Sequence, residues 1–293
     1  MESIAYYFSN LLLATLDGWG RLMIMRLVLA LAGLSICAQD PRAIIEKSLR
    51  GDQRDDDLAR HYAYLETSSE QEWKNGQRTK RQSETNEIMS LYGQPYRRLV
   101  ARDGKPLTAG EQKKEQAKID KLAAERARET PRQQESRVAK YAQERRRRRA
   151  FLQEVPNAYS FQLAGETNVA GRVAWMIDAT PLASYQPRDS RAKMLTKFKG
   201  RFYVAKQDST LMKLEAEAID SVSFGLVLAR LERGARFSLE KSYVNNELWM
   251  PVRIKVDFDA RLALLKKMRV DVELSYSDFR KFQSESRVLP LEP

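Results

Sequence analysis

The chain has 293 residues, 43% of them apolar and 31% charged, which is enough for a substantial core under a well-solvated surface. Lys and Arg number 51 against 39 Asp and Glu, a basic balance that suits nucleic acid, anionic lipid or an acidic partner. A single histidine and a single cysteine exclude sites that need several such side chains.

The N-terminus has the layout of a secretory signal peptide. A positive start at Met25-Arg26 precedes the apolar run Leu27–Ile36, and a small residue follows at Ala38. The run is too short to span a bilayer, which takes about 20 residues. We therefore predict that residues 1–38 are a signal peptide cleaved near Ala38, with Met23 or Met25 as an alternative start, and that the chain is exported to the periplasm.

A second interpretation of this segment is an uncleaved membrane anchor that also uses the apolar run Leu11–Leu13. Lipid modification of Cys37 is not expected, because Ile36 stands where a small residue is required. If cleavage follows Ala38, the exported chain contains no cysteine. Disulfides and thiolate chemistry are then not expected.

The first predicted elements are a short helix and three strands. Asp40 and Pro41 begin the helix, and Gly51-Asp52 ends it. A long hairpin follows, with its turn at Asn75-Gly76, because this dipeptide readily adopts the positive φ angles of a tight turn. A third strand covers Tyr96–Ala101.

A charged insert, residues 108–152, interrupts the strands. Capping boxes at Thr108 and Thr130 predict two helices, one over residues 109–129 and one reaching about Leu152. Each has only a thin apolar stripe, which is typical of surface helices. The second helix carries five consecutive arginines, predicted either as a solvated face or as a contact for lipid headgroups or an acidic partner: Arg145, Arg146, Arg147, Arg148 and Arg149.

Short alternating strands follow from Tyr159 onward. The strongest signal is Leu248–Tyr276, two arms with one apolar and one charged face and a turn near Asp259-Ala260-Arg261. The predicted fold class is α+β and mostly β, with one large curved antiparallel sheet, a half-open barrel of about ten or eleven strands. A short N-terminal helix and the two-helix insert complete a single domain over residues 39–293.

Four segments of the second half form a further pattern: Gly171–Pro181 with Trp175 and Ile177, Lys199–Val204, Leu211–Glu215 and Leu248–Pro251. In these segments, over about residues 158–280, the chain resembles the LolA-like superfamily of secreted lipoprotein carriers and their sensor relatives. Pro41–Leu49 is similar to the leading helix of that family. The insert departs from the family pattern, and the lid-locking arginine of the carriers has no counterpart here.

The resemblance implies a curved sheet closed by helices around an apolar cavity that holds acyl chains. A sheet of this size that is incompletely closed also has an inner face too wide for its own side chains to fill. We predict a non-enzymatic, monomeric protein that buries acyl chains of a lipid or lipoprotein and uses no cofactor or metal. The candidate cavity residues, which also suit an ordinary core, are Trp175, Ile177, Phe202, Met212, Leu214, Phe224, Met250, Val252, Ile254, Val270, Val272 and Leu274.

The sequence is also compatible with three other functions. One is an envelope interaction or sensor module whose basic insert docks an acidic partner or a membrane surface. A hydrolase would need clustered carboxylates in a cleft, but Glu215 and Glu217 are expected on a solvent face and no zinc-protease or nucleotide-binding motif occurs. A nucleic-acid binder would require that the N-terminal segment does not export the chain.

Overall fold

A computed structural model of the protein describes residues 39–74, 76–189, 191–224, 229–262 and 266–282. The predicted signal peptide, the alternative starts and Cys37 lie outside these residues. The chain divides into a unit of residues 1–40 and a unit that begins at Pro41. The helices and strands described below all belong to the second unit.

The described residues form three α-helices. Both capping boxes of the insert are confirmed, since the Thr108 hydroxyl accepts from the Glu111 N–H while the Glu111 carboxylate accepts from the Thr108 N–H, and Thr130 pairs with Gln133 in the same way. Short 3-10 helices cover Ala59–His61 and Ala192–Lys197. The α-helices are α1 (Pro41–Leu58), α2 (Ala109–Ala127) and α3 (Pro131–Ala158).

Helix α1 continues past Gly51, where the sequence predicted its end. Two long-range contacts hold its last turns: the Lys241 ammonium donates to Asp52 at 2.8 Å, and the Trp249 N–H donates to Asp55 at 3.2 Å. A glycine inside a helix costs about 1 kcal/mol relative to alanine. These tertiary contacts, which a local pattern does not contain, offset that cost.

Thirteen antiparallel strands form one sheet in the described residues. The strands are β1 (Tyr62–Lys74), β2 (Gln77–Leu91), β3 (Gln94–Arg102), β4 (Lys105–Pro106), β5 (Tyr159–Val169), β6 (Arg172–Pro181), β7 (Phe198–Ala205), β8 (Leu211–Ala218), β9 (Val222–Phe224), β10 (Ala229–Leu231), β11 (Arg236–Val244), β12 (Leu248–Leu262) and β13 (Lys266–Lys281). Eleven of them follow one path in the order β4-β3-β2-β1-β13-β12-β11-β8-β7-β6-β5, while β10 pairs with β12 and β9 with β10.

The sheet is open, because its path ends at β4 on one side and β5 on the other without a bond between them in the described part of the chain. The predicted fold class is therefore confirmed, including the helix at the start and the two-helix insert. The first and last long strands, β1 and β13, pair over most of their length and join the strands before the insert to those after it.

The turn predicted at Asp259-Ala260-Arg261 is wrong in position. These residues are in β12, and cross-strand pairing with β13 continues as far as Leu262 opposite Lys266. The first hairpin is confirmed, since Lys74 pairs with Gln77. Asn75 itself lies outside the described residues.

The outer face of the sheet carries paired charges. Residues directly opposite one another share a face, and Asp178, Arg201 and Glu215 form such a row across β6, β7 and β8. The Arg201 guanidinium donates to Asp178 at 2.6 Å and 2.9 Å, and Lys213 lies 2.7 Å from Glu215. Glu215 is thus on a solvent face, as predicted, and its charge is compensated there.

The inner face is apolar and packs against α1 and the end of α3. The row next to the charged one contains Ile177, Phe202, Leu214 and Leu239 on four neighbouring strands. The last turns of α3 belong to this core, so the helix extends beyond the end predicted near Leu152. The buried cluster consists of Ile44, Ile45, Val155, Ala158, Tyr159, Trp175, Ile177, Ala179, Leu195, Phe202, Val204 and Leu211.

Replacing Ile45 by alanine tests the packing of α1 against the sheet. Ile45 is 1% exposed, so the change Ile45→Ala should lower the free energy of unfolding by about 2–5 kcal/mol. Val138→Ala is the matched control, because Val138 is 53% exposed and its truncation should change the free energy by less than about 0.5 kcal/mol. Urea unfolding measures both, and equal small effects would contradict this packing.

Candidate functional site

A cavity of about 580 Å³ lies between the inner face of the sheet and helices α1 and α3. Its size falls within the range of about 300–1,000 Å³ that is usual for sites that bind small molecules. Most of its wall is apolar. The lining residues come from α1, α3, the two 3-10 helices and the seven strands β1, β5, β7, β8, β11, β12 and β13. The main apolar contributors are Leu49, Phe151, Leu152, Val155, Leu195, Phe198, Phe202, Leu211, Leu214, Leu239 and Met250.

The part of the cavity wall formed by β7 and β8, which we call the floor, contains two small residues. Gly200 and Ala216 face each other across β7 and β8, and both line the cavity. A Cβ added at Gly200 would lie 3.1 Å from the Glu215 carbonyl oxygen and 3.8 Å from Leu214 Cδ1. Because Gly200 has no side chain and Ala216 has only a methyl group, the space above them is left for another occupant.

One end of the cavity is charged. Asp52 and Lys241 form a pair at 2.8 Å whose side chains are 17% and 8% exposed, and Asp56 and Arg149 also line this end. Burial raises the pKa of the Asp52 carboxyl, although the Lys241 ammonium acts in the opposite direction. The cavity therefore has an apolar body and a polar end, which suits an amphiphilic ligand.

Two tyrosines and a buried glutamate stand beside the polar end. The rings of Tyr64 and Tyr276 meet edge to face with centroids 5.9 Å apart, and both line the cavity. Glu66 is 7% exposed and is paired with Arg97. Burial and the nearby Glu66 carboxylate raise the pKa of the Tyr276 phenol, so this tyrosine is a neutral hydrogen-bonding group at physiological pH.

The arginine run connects α3 to the end of α1. Arg145, which has a 14% exposed side chain, pairs with Asp57 and lies 3.3 Å from Asp56. Arg148 reaches Asp56 at 3.2 Å, and Arg149 reaches Asp57 at 2.6 Å. We call these three arginines and two aspartates the arginine clamp.

The other two arginines of the run lie outside the clamp. Arg147 pairs with Glu144 at 3.0 Å, and Arg146 is exposed without an ion pair among the described residues. Most of the run that the sequence offered for headgroup or partner contact is thus engaged within the chain, and contact of these residues with a partner stays a prediction.

The structure places the predicted cavity residues in four groups. Phe202, Leu214 and Met250 line the cavity. Trp175 and Ile177 lie in the buried cluster that the cavity adjoins. Val252, Ile254, Val272 and Leu274 are half-buried on β12 and β13, where Val270 is buried, and none of the five lines this cavity. The side chain of Phe224 lies outside the described residues.

Met212 points away from the position that strand alternation predicted. Tyr203 pairs with Lys213 but Val204 pairs with Leu211, so a bulge leaves Met212 as an extra residue in β8. As a result Leu211 joins the cavity, while Met212 packs with Ala174, Ala205 and Trp249 in a separate cluster. The expectation of strict alternation from Met212 to Leu214 is therefore wrong.

Several lining residues were not selected from the sequence. Alternation placed Ala216 on the apolar face of its strand, but neither Ala216 nor Gly200 was predicted to line the cavity, because small residues in a strand are unremarkable without knowledge of their partners. Asp52 and Lys241 are far apart in the chain, and only the fold brings them together. The alternation of β13 did mark Tyr276 as inward-facing, a usable signal.

Metal sites and membrane-spanning helices are both absent from the described residues. No group of three or more His, Cys, Asp or Glu side chains in this part of the chain is arranged to hold a metal ion. None of the described helices combines the length and apolar character that crossing a membrane requires.

No protein-family model matches the chain, and no curated protein matches it in sequence. Among solved structures, the chain is similar to a DUF1329 family protein from Desulfovibrio piger, with a TM-score of 0.34 at 11% identity over 85% of this chain and 95% of that one. It is also similar to a putative outer membrane lipoprotein-sorting protein domain from Vibrio parahaemolyticus, with a TM-score of 0.32 at 12% identity over 84% and 94%.

A third similar structure is a LolA superfamily protein from Nitrosomonas europaea, with a TM-score of 0.29 at 11% identity over 84% of this chain and 96% of that one. The superfamily that the sequence segments resemble is thus also named among the solved structures.

Breaking the buried pair at the polar end should destabilise the protein. Asp52→Asn leaves the Lys241 ammonium buried without a counter-charge, for which we expect a loss of about 3 kcal/mol in the free energy of unfolding. The double variant Asp52→Asn, Lys241→Met removes both charges and should recover most of that loss. Denaturant unfolding of the unaltered protein, the single variants Asp52→Asn and Lys241→Met and the double variant gives the coupling; additive losses would contradict the pairing.

The stabilisation provided by the arginine clamp should be lost at low pH. Its hydrogen bond from Arg145 lowers the pKa of Asp57, against the opposing effect of burial. Its contribution is therefore present above the ordinary aspartate pKa of about 3.9 and is lost as the pH falls through the lower native pKa.

The variant Asp57→Asn isolates this contribution. Because Asp57 is 43% exposed, the loss at pH 7 should be no more than about 1 kcal/mol, and it should shrink progressively as the pH falls below about 3.9. Thermal unfolding of both proteins from neutral to acidic pH measures the difference, and a difference that did not shrink in acid would count against the ion pair as its cause.

Proposed function

We propose that this chain is a non-enzymatic, periplasmic carrier that buries acyl chains of a lipid or lipoprotein in the cavity beneath α1 and α3. The observation that supports it most directly is an apolar space of about 580 Å³ whose floor is formed by Gly200 and Ala216. The signal-peptide pattern of residues 1–38 supports the location, and the domain over residues 39–293 acts as the carrier.

The energetics suit reversible binding. Burial of an acyl chain contributes about 0.8 kcal/mol per CH₂, so a dozen methylenes give roughly 10 kcal/mol before the costs of ordering the chain. The attraction has no direction, and chains of different shape can therefore be accepted. No covalent chemistry is needed for loading or release.

The polar end gives the ligand an orientation. With the acyl chain along Phe202, Leu214 and Leu239, the ester or headgroup of the ligand lies near Asp52 and Lys241. Both charges already compensate each other, so a neutral hydrogen-bonding group fits better there than a bare charge.

A second candidate is an envelope interaction or sensor module that docks through the insert. The observation in its favour is the exposed side of α3, where Arg132, Lys140 and Arg146 have no ion pair within the described residues. The arginine clamp argues for a different role of the remaining run, since Arg145, Arg148 and Arg149 face α1 rather than a partner.

Filling the floor of the cavity tests the carrier proposal. Ala216→Phe adds a ring where Ala216 lines the cavity, and it should reduce co-purified lipid at least about tenfold because the acyl chain loses its space. Native mass spectrometry of protein purified from the periplasm without detergent measures the bound lipid.

Val173→Phe is the matched control. Val173 is 51% exposed on β6, so this substitution adds a ring away from the cavity. Circular dichroism checks that both variants fold. Wild-type protein that carries no lipid would overturn the proposal, as would equal lipid content in the two variants. Loss of a captured partner in the variant Arg132→Gln, Lys140→Gln, Arg146→Gln, with lipid absent from the intact chain, would favour the docking module.

A further inference from the structure

A second recess, of about 820 Å³, lies at the opposite side of α1 from the acyl cavity. One helix face and the ends of three hairpins form it, and we call it the basic recess. Its cations are Lys47, Arg50 and Arg54 on α1 and Arg172 at the start of β6, beside the rings of Tyr243 and Trp249.

The two acids of the basic recess pair with only two of its four cations. Asp208 and Asp55 are the two acids in its lining, and both are already engaged. Asp208 accepts from Arg172 at 2.8 Å and from the Thr210 N–H at 3.1 Å. Asp55 accepts from the Trp249 N–H at 3.2 Å and has the Arg54 guanidinium 3.6 Å away.

Two cations of the recess are free to take a ligand. Lys47 and Arg50 are exposed and have no ion pair within the described residues. With Arg54 they stand three and four residues apart on one helix face, where like charges repel each other. An anion between them would relieve this repulsion.

The fourth cation is held in place. The Arg172 guanidinium donates to Gln207 at 2.9 Å as well as to Asp208, and it stacks over the Trp249 ring at 5.1 Å from the centroid. The Trp249 ring in turn lies 5.5 Å from that of Tyr243. Little conformational entropy remains to be lost at this side when a ligand binds.

We propose that the basic recess binds a phosphate group, carried either by a small soluble ligand or by the headgroup of a lipid. Guanidinium groups donate pairs of parallel hydrogen bonds to phosphate oxygens, and a lysine adds a point charge. The site is separate from the acyl cavity, although Asp55 and Trp249 line both. It can therefore be present whether or not the acyl cavity carries lipid.

The test uses the exported chain with two probes, inorganic phosphate followed by calorimetry and phosphatidylglycerol vesicles followed by co-sedimentation. The double variant Lys47→Gln, Arg50→Gln should weaken binding of the effective probe at least about tenfold, because two charge-assisted contacts are lost. Lys113→Gln, Lys114→Gln is the matched control, since it removes the same charge from exposed positions on α2.

The two probes separate the two sources of phosphate. Binding of inorganic phosphate that is weakened only in the recess variant supports a soluble ligand, whereas the same result with vesicles alone supports a headgroup. No binding of either probe overturns the proposal, and so does equal weakening in the two variants. Lipid content in native mass spectrometry should stay unchanged in the recess variant, which separates this result from the carrier proposal.

Discussion

The structure depends on one constraint: an open, curved sheet has an apolar inner face that must be covered. The row of Ile177, Phe202, Leu214 and Leu239 continues across four strands, and no second sheet packs on it in the described residues. Helices α1 and α3 provide the cover, but two helices cannot follow a curved face everywhere. The cavity is the part of that face that they leave uncovered.

Helix α1 has a different role on each side. The side with Ile44, Ile45 and Leu49 faces the core and the cavity beneath α1 and α3, and the side with Lys47 and Arg50 faces the hairpin ends. Its C-terminal half carries the acids that join it to the rest of the fold. Because one rigid element borders both spaces, its position determines the shape of both.

Local structure was predictable wherever the signal lies within a few residues. The capping boxes at Thr108 and Thr130 and the pairing of β12 with β13 follow from short-range preferences, and the structure has all of them. The pairing of β1 with β13 was not predictable, because it joins residues about 200 positions apart through a register that no local pattern encodes.

The candidate site was predictable only in part, for a related reason. Alternation selects inward-facing residues, and it found Phe202 and Leu214, but the bulge at Met212 reverses the phase on its N-terminal side, so that Leu211 rather than Met212 lines the cavity. Gly200 and Ala216 contribute to the cavity because they lack large side chains, and a sequence pattern of apolar side chains does not mark such positions. The partners of the arginine run could not be assigned, because Asp56 and Asp57 are distant in sequence and the charge pattern alone fits a free surface equally well.

The cavity also has an energetic consequence. The space of about 580 Å³ is partly open to solvent, so water fills it when no ligand is bound. Water gains few hydrogen bonds along a wall of leucine and phenylalanine. An apolar chain in its place would release this water and remove apolar surface from solvent, which contributes about 25 cal/mol per Å². The charged end near Asp52 and Lys241 stays suited to a hydrated group.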